Sequence, residues 1–206
     1  LQGMDFDPLL TGFDEKELAD LFADDSGSEA RDDDFDLTAA LLELMPEVST
    51  AVDLGCGTGV VLACLNTNAN SIVGVAGSPR MLELARRRFA GDESVSLRIG
   101  ELDHLPLADG EVQFACLNMV LHHLSHPDAA LREIHRILAP GAFLVVTDFD
   151  KHEMEAMRTE YGDRWLGFSP DEIKTILNRT GFEAEEPLSI PVHKGLRVLL
   201  TRAVRK

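Results

Sequence analysis

From about residue 37 onward the apolar positions alternate between short unbroken runs and stripes spaced three to four residues apart. Runs of that length read as buried strands, and the stripes read as one-sided helices. The pattern predicts a helix over 37–45, a strand over 51–54, a helix over 60–66 and a strand over 71–75. A helix over 79–90, a strand over 95–99 and a strand over 112–117 follow. Next come a helix over 127–138, a strand over 142–148, a helical stretch around 152–162 and a helix over 170–180. Two late strands, 182–188 and 196–203, are joined by a connection holding Pro191 and Gly195. Strands separated by helices imply a mostly parallel sheet covered on both faces. The last two strands, with no helix between them, imply an antiparallel hairpin. The expected architecture is α/β, with seven strands, a C-terminal antiparallel hairpin and helices on both faces.

Charge divides the chain where hydropathy does. Residues 1–36 hold thirteen acidic and two basic side chains, a net of −11. The remaining residues carry −6 of the total −17, so the body is only mildly acidic. Residues 14–22 fit a short helix capped by Asp14, with Leu18, Leu21 and Phe22 on one face. Residues 23–36, rich in Asp, Ser and Gly, read as a mobile, solvated segment. The other reading of this lead is a lid, because the apolar face of the short helix needs a surface to cover. The expected division is therefore 1–36, an acidic segment that is partly mobile or lid-forming, and 37–206, a catalytic-type domain.

The 206 residues, 45% of them apolar, suffice for one sizeable core. No basic cluster favours nucleic acid, no apolar run is long enough for a membrane span, and no signal-peptide pattern opens the chain. Cys56, Cys64 and Cys116 form no C-x-x-C pair, which suits reduced thiols and a cytoplasmic location.

Chemistry concentrates in 51–60, AVDLGCGTGV. A short strand carries Asp53 near its carboxyl end, glycines follow at 55, 57 and 59, and a helix opens at Val60. Glycine lets the backbone turn tightly against a ligand. The helix aims its free N–H groups and positive dipole end at the same place. A dinucleotide loop reads G-x-G-x-x-G; here the spacing is G-x-G-x-G, with Val60 where that third glycine would stand.

This segment resembles the first motif of the class I S-adenosylmethionine-dependent methyltransferases. The likeness continues through SIVGVAGSPRMLELARRR (71–88), GELDHLPLADGEVQFACL (100–117), NMVLHHLSH (118–126) and PDAALREIHRILAPG (127–141), over 37–206 in register. RWLGFS at 164–169 is similar to methyltransferases related to ubiquinone-biosynthesis enzymes, including those fused to ArsR-type regulators. No helix-turn-helix domain is expected ahead of residue 37. The acidic lead itself resembles stretches beside ParB-like domains in phage-type DNA methylases.

The resemblance implies a Rossmann-like sheet with S-adenosylmethionine as cofactor and a small-molecule acceptor. Gly55, Cys56, Gly57 and Gly59 would wrap its methionine half, and Asp53 would contact its amino end. Gly100, Glu101 and Leu102 would border the adenine, with Glu101 accepting from the amino group and the Leu102 N–H facing a ring nitrogen. Met81 would pack near the adenosine, or else belong to plain helix core. Asn118 would stand beside the transferable methyl.

The family usually carries an acid at the end of strand two, which accepts both ribose hydroxyls. Here that position is Ala76, and Gly77 supplies no side chain. The ribose contact is expected to be weaker, and an alternative function follows from it: a non-catalytic S-adenosylmethionine- or small-ligand-binding module. His122 and His123 are the candidate general bases, since imidazole titrates near neutrality. A metal pair from His122 and His126 at i, i+4 is set aside in favour of LHHL as a helix packing near the cofactor, and no metal is expected. Arsenite methylation is disfavoured because the cysteines fall in mostly buried elements. Residues 118–121 lack the Asp/Asn-Pro-Pro-aromatic motif of DNA adenine methylation. The oligomeric state is left open, a homodimer being one outcome.

Overall fold

The computed structural model describes residues 37–192 and 195–206. The helix expected over 14–22 and the mobile or lid segment expected over 23–36 lie outside the described residues. The described elements are α1 (Leu37–Glu43), β1 (Val48–Leu54), α2 (Val60–Leu65), β2 (Ala69–Ala76), α3 (Pro79–Arg88), β3 (Val95–Ile99) and β4 (Val112–Asn118). After a 3-10 turn (Leu121–His123) come α4 (Pro127–Ile137), β5 (Leu138–Phe149), α5 (Ala156–Glu160), α6 (Pro170–Arg179), β6 (Phe182–Ala184), β7 (Leu188–Pro191) and β8 (Arg197–Arg205).

Strand order is β3-β2-β1-β4-β5-β8-β6, with β7 also on β8. The first five strands are mutually parallel. β8 returns antiparallel to β5, and β6 and β7 pair antiparallel along its other edge. Among the described residues the sheet thus has eight strands where seven were expected. The stretch expected as one strand over 182–188 is broken by Pro187, which offers no N–H to a ladder. β6 therefore pairs with one end of β8 and β7 with the other. The late hairpin is β7–β8, as its Pro191 and Gly195 connection implied.

Period-two alternation sends neighbouring residues to opposite faces. On β4, Ala115 and Leu117 face one core cluster while Phe114 and Cys116 face the other. The first cluster is covered by Leu131, Ile134 and Ile137 of α4 and by Ile173 and Leu177 of α6. The second is covered by Leu41 of α1 and by Leu62 and Leu65 of α2. Helix starts follow local chemistry. The Ser78 side chain accepts from Met81 N–H ahead of Pro79, and Ser169 and Glu172 form a reciprocal capping box ahead of Pro170. The sequence around LHHL makes a single 3-10 turn rather than a longer helix. Pro127 opens α4, where its missing N–H costs no hydrogen bond.

The strand order reverses between β1 and β4. In open α/β sheets that switch point leaves a crevice outside the carboxyl ends of the strands, and here the cavity lies there.

Candidate active site

A cavity of about 390 Å³ opens over the carboxyl ends of β1, β2 and β4. That is within the range of small-ligand sites. Of the residues singled out in the sequence, Asp53, Gly55, Cys56, Gly57, Ala76, Gly77, Met81, Gly100, Glu101, Leu102, Asn118 and His123 line it. Gly59 and His122 do not.

The three glycines of the loop do different work. All have positive φ, at 78°, 52° and 85° for Gly55, Gly57 and Gly59. A Cβ on Gly59 would stand 2.6 Å from the Phe89 ring, so this glycine lets α2 pack against the end of α3. A Cβ on Gly55 would stand 2.6 Å from a Val120 methyl. A Cβ on Gly57 would meet no atom of the described residues within 4 Å. Gly57 lines the cavity, so the space a side chain would take there is ligand space.

Asp53 ends its strand fully buried, at 2% exposure, with Oδ2 unpartnered. Desolvation pushes its pKa up to about 7, against the Leu62 N–H, which donates to it from the first turn of α2. A buried acceptor aimed at an open cavity is a place for a cationic ligand group. With the Gly57 cradle, these residues fit the methionine end of S-adenosylmethionine. Burial drives the Cys56 and Cys116 thiols upward in pKa, with the nearby Asp53 charge acting in the same direction. Neither is a nucleophile at neutral pH.

At the end of β2, Ala76 lines the cavity and Gly77 follows. The Glu101 carboxylate lies over Gly77, with Oε1 3.0 Å from where a Cβ would stand. The acid missing from position 76 thus has a neighbour reaching in from the next strand end.

Asn118 accepts from the Thr147 hydroxyl at the end of β4. Met119, not singled out in the sequence, lines the cavity with φ 54°, a left-handed backbone in a residue with a side chain. Its N–H donates to Thr147 O at 2.9 Å, which holds this unfavoured conformation in place. Arg164, Ser125 and His126 also line the wall; they fall in segments the sequence singled out, but loop residues carry no periodic signal that would mark them as facing the cavity.

The histidines divide. His122 is fully buried and its Nδ1 lies 2.9 Å from Asp148 Oδ1. His123 reaches the cavity. Backbone N–H groups of Arg164 and Trp165 donate to His122 O, at 3.0 and 3.1 Å, and Trp165 Nε1 donates to Leu124 O at 2.8 Å. The RWLGFS segment is thereby clamped onto the 3-10 turn. His126 stands at the N-cap position of α4, without a side-chain capping bond.

Comparison with known proteins agrees with this geometry. A family model described as a methyltransferase domain matches residues 52–146. A second, described as the ParB-methyltransferase HTH domain, matches residues 1–50, against the expectation that no such domain precedes residue 37. The chain is 35% identical over 117 residues to an uncharacterized 37.1 kDa protein in transposon TN4556 of Streptomyces fradiae, covering 55% of this chain and 33% of that protein. It is 29% identical over 125 residues to a demethylmenaquinone methyltransferase of Clavibacter sepedonicus, covering 61% of this chain and 51% of the relative. The chain thus spans a third to a half of the curated relatives it matches. The crystal structure of an S-adenosylmethionine-dependent methyltransferase from Mesorhizobium loti superposes with a TM-score of 0.69 at 20% identity, covering 81% and 96% of the two chains. Among the described residues no helix is long and apolar enough to cross a membrane. The methyltransferase-domain match runs from β1 into β5, the part of the sheet that holds the glycine loop and the switch point, and supports a class I S-adenosylmethionine-dependent methyltransferase domain there, with S-adenosylmethionine as its cofactor.

Proposed function

We propose that residues 37–206 transfer a methyl group from S-adenosylmethionine to a small-molecule acceptor. The observation that carries this is the cavity at the switch point, with ligand space at Gly57 beside the buried, unpartnered Asp53 carboxylate. The sulfonium supplies its own leaving group, so the protein has to position and desolvate the two reactants.

In this reading Asp53 accepts from the amino end of the cofactor, and the Gly55–Gly57 backbone follows its methionine portion. Glu101 serves the ribose hydroxyls from across the strand ends, where Ala76 cannot, and stands beside the adenine with Gly100 and the Leu102 N–H. Met81 packs on the adenosine, and Asn118 sits next to the methyl. The reach of Glu101 over Gly77 supports a working ribose site and weighs against the non-catalytic alternative. His123, Ser125, His126 and Arg164 make the wall left for an oxygen-rich acceptor. His122 is sealed off from it and takes no proton from the acceptor directly. The net of −11 over residues 1–36 opposes phosphate contacts, although the model described as the ParB-methyltransferase HTH domain matches residues 1–50.

Calorimetry with S-adenosylmethionine and with its demethylated product tests the binding half, and binding of both is expected. Absence of binding by either refutes the proposal. Mass spectrometry of a panel of phenols, carboxylic acids and amines incubated with the cofactor tests the transfer half.

A further inference from the structure

Behind the His123 wall, side chains from three segments meet without water access. His122 belongs to the 3-10 turn, Asp148 to β5, and Asp163 to the loop before RWLGFS. Asp148 holds His122 twice: Oδ1 lies 2.9 Å from the ring Nδ1, and Oδ2 accepts the His122 backbone N–H at 3.1 Å. This fixes the tautomer and leaves Nε2 as the free lone pair. That Nε2 faces the Nε2 of His123 at 3.1 Å and Asp163 Oδ1 at 3.7 Å. His123 Nδ1 lies 3.5 Å from the same Asp163 oxygen. The Asp163 side chain is fully buried, and neither of its oxygens has a hydrogen-bond partner. A sealed carboxylate without a hydrogen bond is costly to keep, and the contact between the two ring nitrogens is an N–H···N hydrogen bond whose proton a metal ion would replace.

We propose that His122, His123 and Asp163 bind one divalent transition-metal ion of the zinc class. One donor atom from each residue lies within 4.8 Å of the others. Two imidazoles and one carboxylate are a common donor set for such an ion. With bonds of about 2.0–2.1 Å, neighbouring ligands of a tetrahedral ion stand about 3.3 Å apart. His122 Nε2 stands 3.1 Å from His123 Nε2 and 3.7 Å from Asp163 Oδ1, while the 3.5 Å approach of Asp163 is to the other nitrogen of the His123 ring, so closure needs the Asp163 carboxylate to swing toward the two Nε2 atoms. Asp148 stands where a carboxylate orients a metal-binding histidine from behind. The ion would tie the 3-10 turn to the 161–164 loop, and so brace the cavity wall that His123 and Arg164 form. The site was invisible at i, i+4 spacing because its ligands are adjacent in sequence or forty residues apart. It does not depend on the methyltransferase reading.

The full chain is stripped with chelator, dialysed and titrated with Co²⁺ as a spectroscopic probe, then with Zn²⁺ by competition and elemental analysis. One equivalent with the intense visible bands of tetrahedral Co²⁺ is expected. Asp163→Asn and, separately, His123→Gln should abolish those bands, and Asp148→Asn should weaken binding about ten- to a hundredfold. Circular dichroism of the stripped variants checks that each folds, and S-adenosylmethionine binding in chelator checks the neighbouring site independently. No uptake by the wild type, or equal uptake by wild type and both ligand variants, overturns the proposal. The second result would assign the ion to the acidic lead or another surface.

Discussion

Removing the Asp53 charge should change the pH dependence of cofactor binding in a way that reports its burial. With its pKa pushed up to about 7 by desolvation, ionising this carboxyl in the ligand-free protein costs about 4 kcal/mol relative to an exposed aspartate. An ammonium group binds the ionised form. The apparent Kd therefore scales inversely with the ionised fraction, which is about 3% at pH 5.5 and about one half at pH 7. S-adenosylmethionine should bind about fifteenfold more tightly at pH 7 than at pH 5.5. Its own α-amino group stays protonated across that window.

Calorimetry in buffers of different ionisation enthalpy should show release of most of a proton per site at pH 6. Asp53→Asn should bind about ten- to a hundredfold more weakly at pH 7, as expected for loss of a charged hydrogen bond, and its Kd should be flat from pH 5.5 to 7. Stability of the ligand-free protein should move in the opposite sense. The folded state holds a proton that the unfolded chain loses above pH 3.8, so Asp53 stabilises the fold most below about pH 4. That contribution is lost as pH rises to about 7. A wild-type Kd that does not change between pH 5.5 and 7, or an equal slope in Asp53→Asn, would refute the reasoning.

Other outcomes follow from the same cavity. Gly57→Ala should cost about 1–2 kcal/mol of stability, from its left-handed φ, and should remove cofactor binding because its methyl group enters ligand space; chemical denaturation and calorimetry separate the two effects. Glu101→Ala should weaken S-adenosylmethionine binding by more than about tenfold. Adding Ala76→Asp to that variant should recover the loss, whereas Ala76→Asp alone should gain little beside the existing carboxylate; a full gain in the single variant would mean that Glu101 leaves the ribose alone. Deleting residues 4–35 should leave a folded domain with unchanged cofactor affinity, measured by thermal melting and calorimetry, and failure to fold would move the boundary.

The strands of this sheet were legible because their burial is local and repetitive. Phe114 to Leu117 alternate between two cores, and only an apolar run survives that position. The exceptions came from single residues that periodicity averages away, such as Pro187 dividing one expected strand into β6 and β7. The glycine loop was legible as a turn at the end of β1, but the separate duties of its glycines were not. Which glycine faces the cavity and which faces Phe89 depends on where α3 ends in space. Ala76 showed plainly that an acid is missing. That Glu101 reaches the gap required the distance between two loop residues 24 positions apart.

The sequence by itself therefore determined the order of most elements, the α/β class, the position of the glycine loop and the charge break at residue 36. Each is written in neighbouring residues, through side-chain periodicity and glycine's missing Cβ. Only the tertiary structure decided which functional groups share a volume. Burial raises the Asp53 pKa, Asp148 sets the His122 tautomer, and Asp163 is brought beside two histidines from forty residues away. Desolvation and hydrogen bonding act through space, and no local pattern in the chain records those distances.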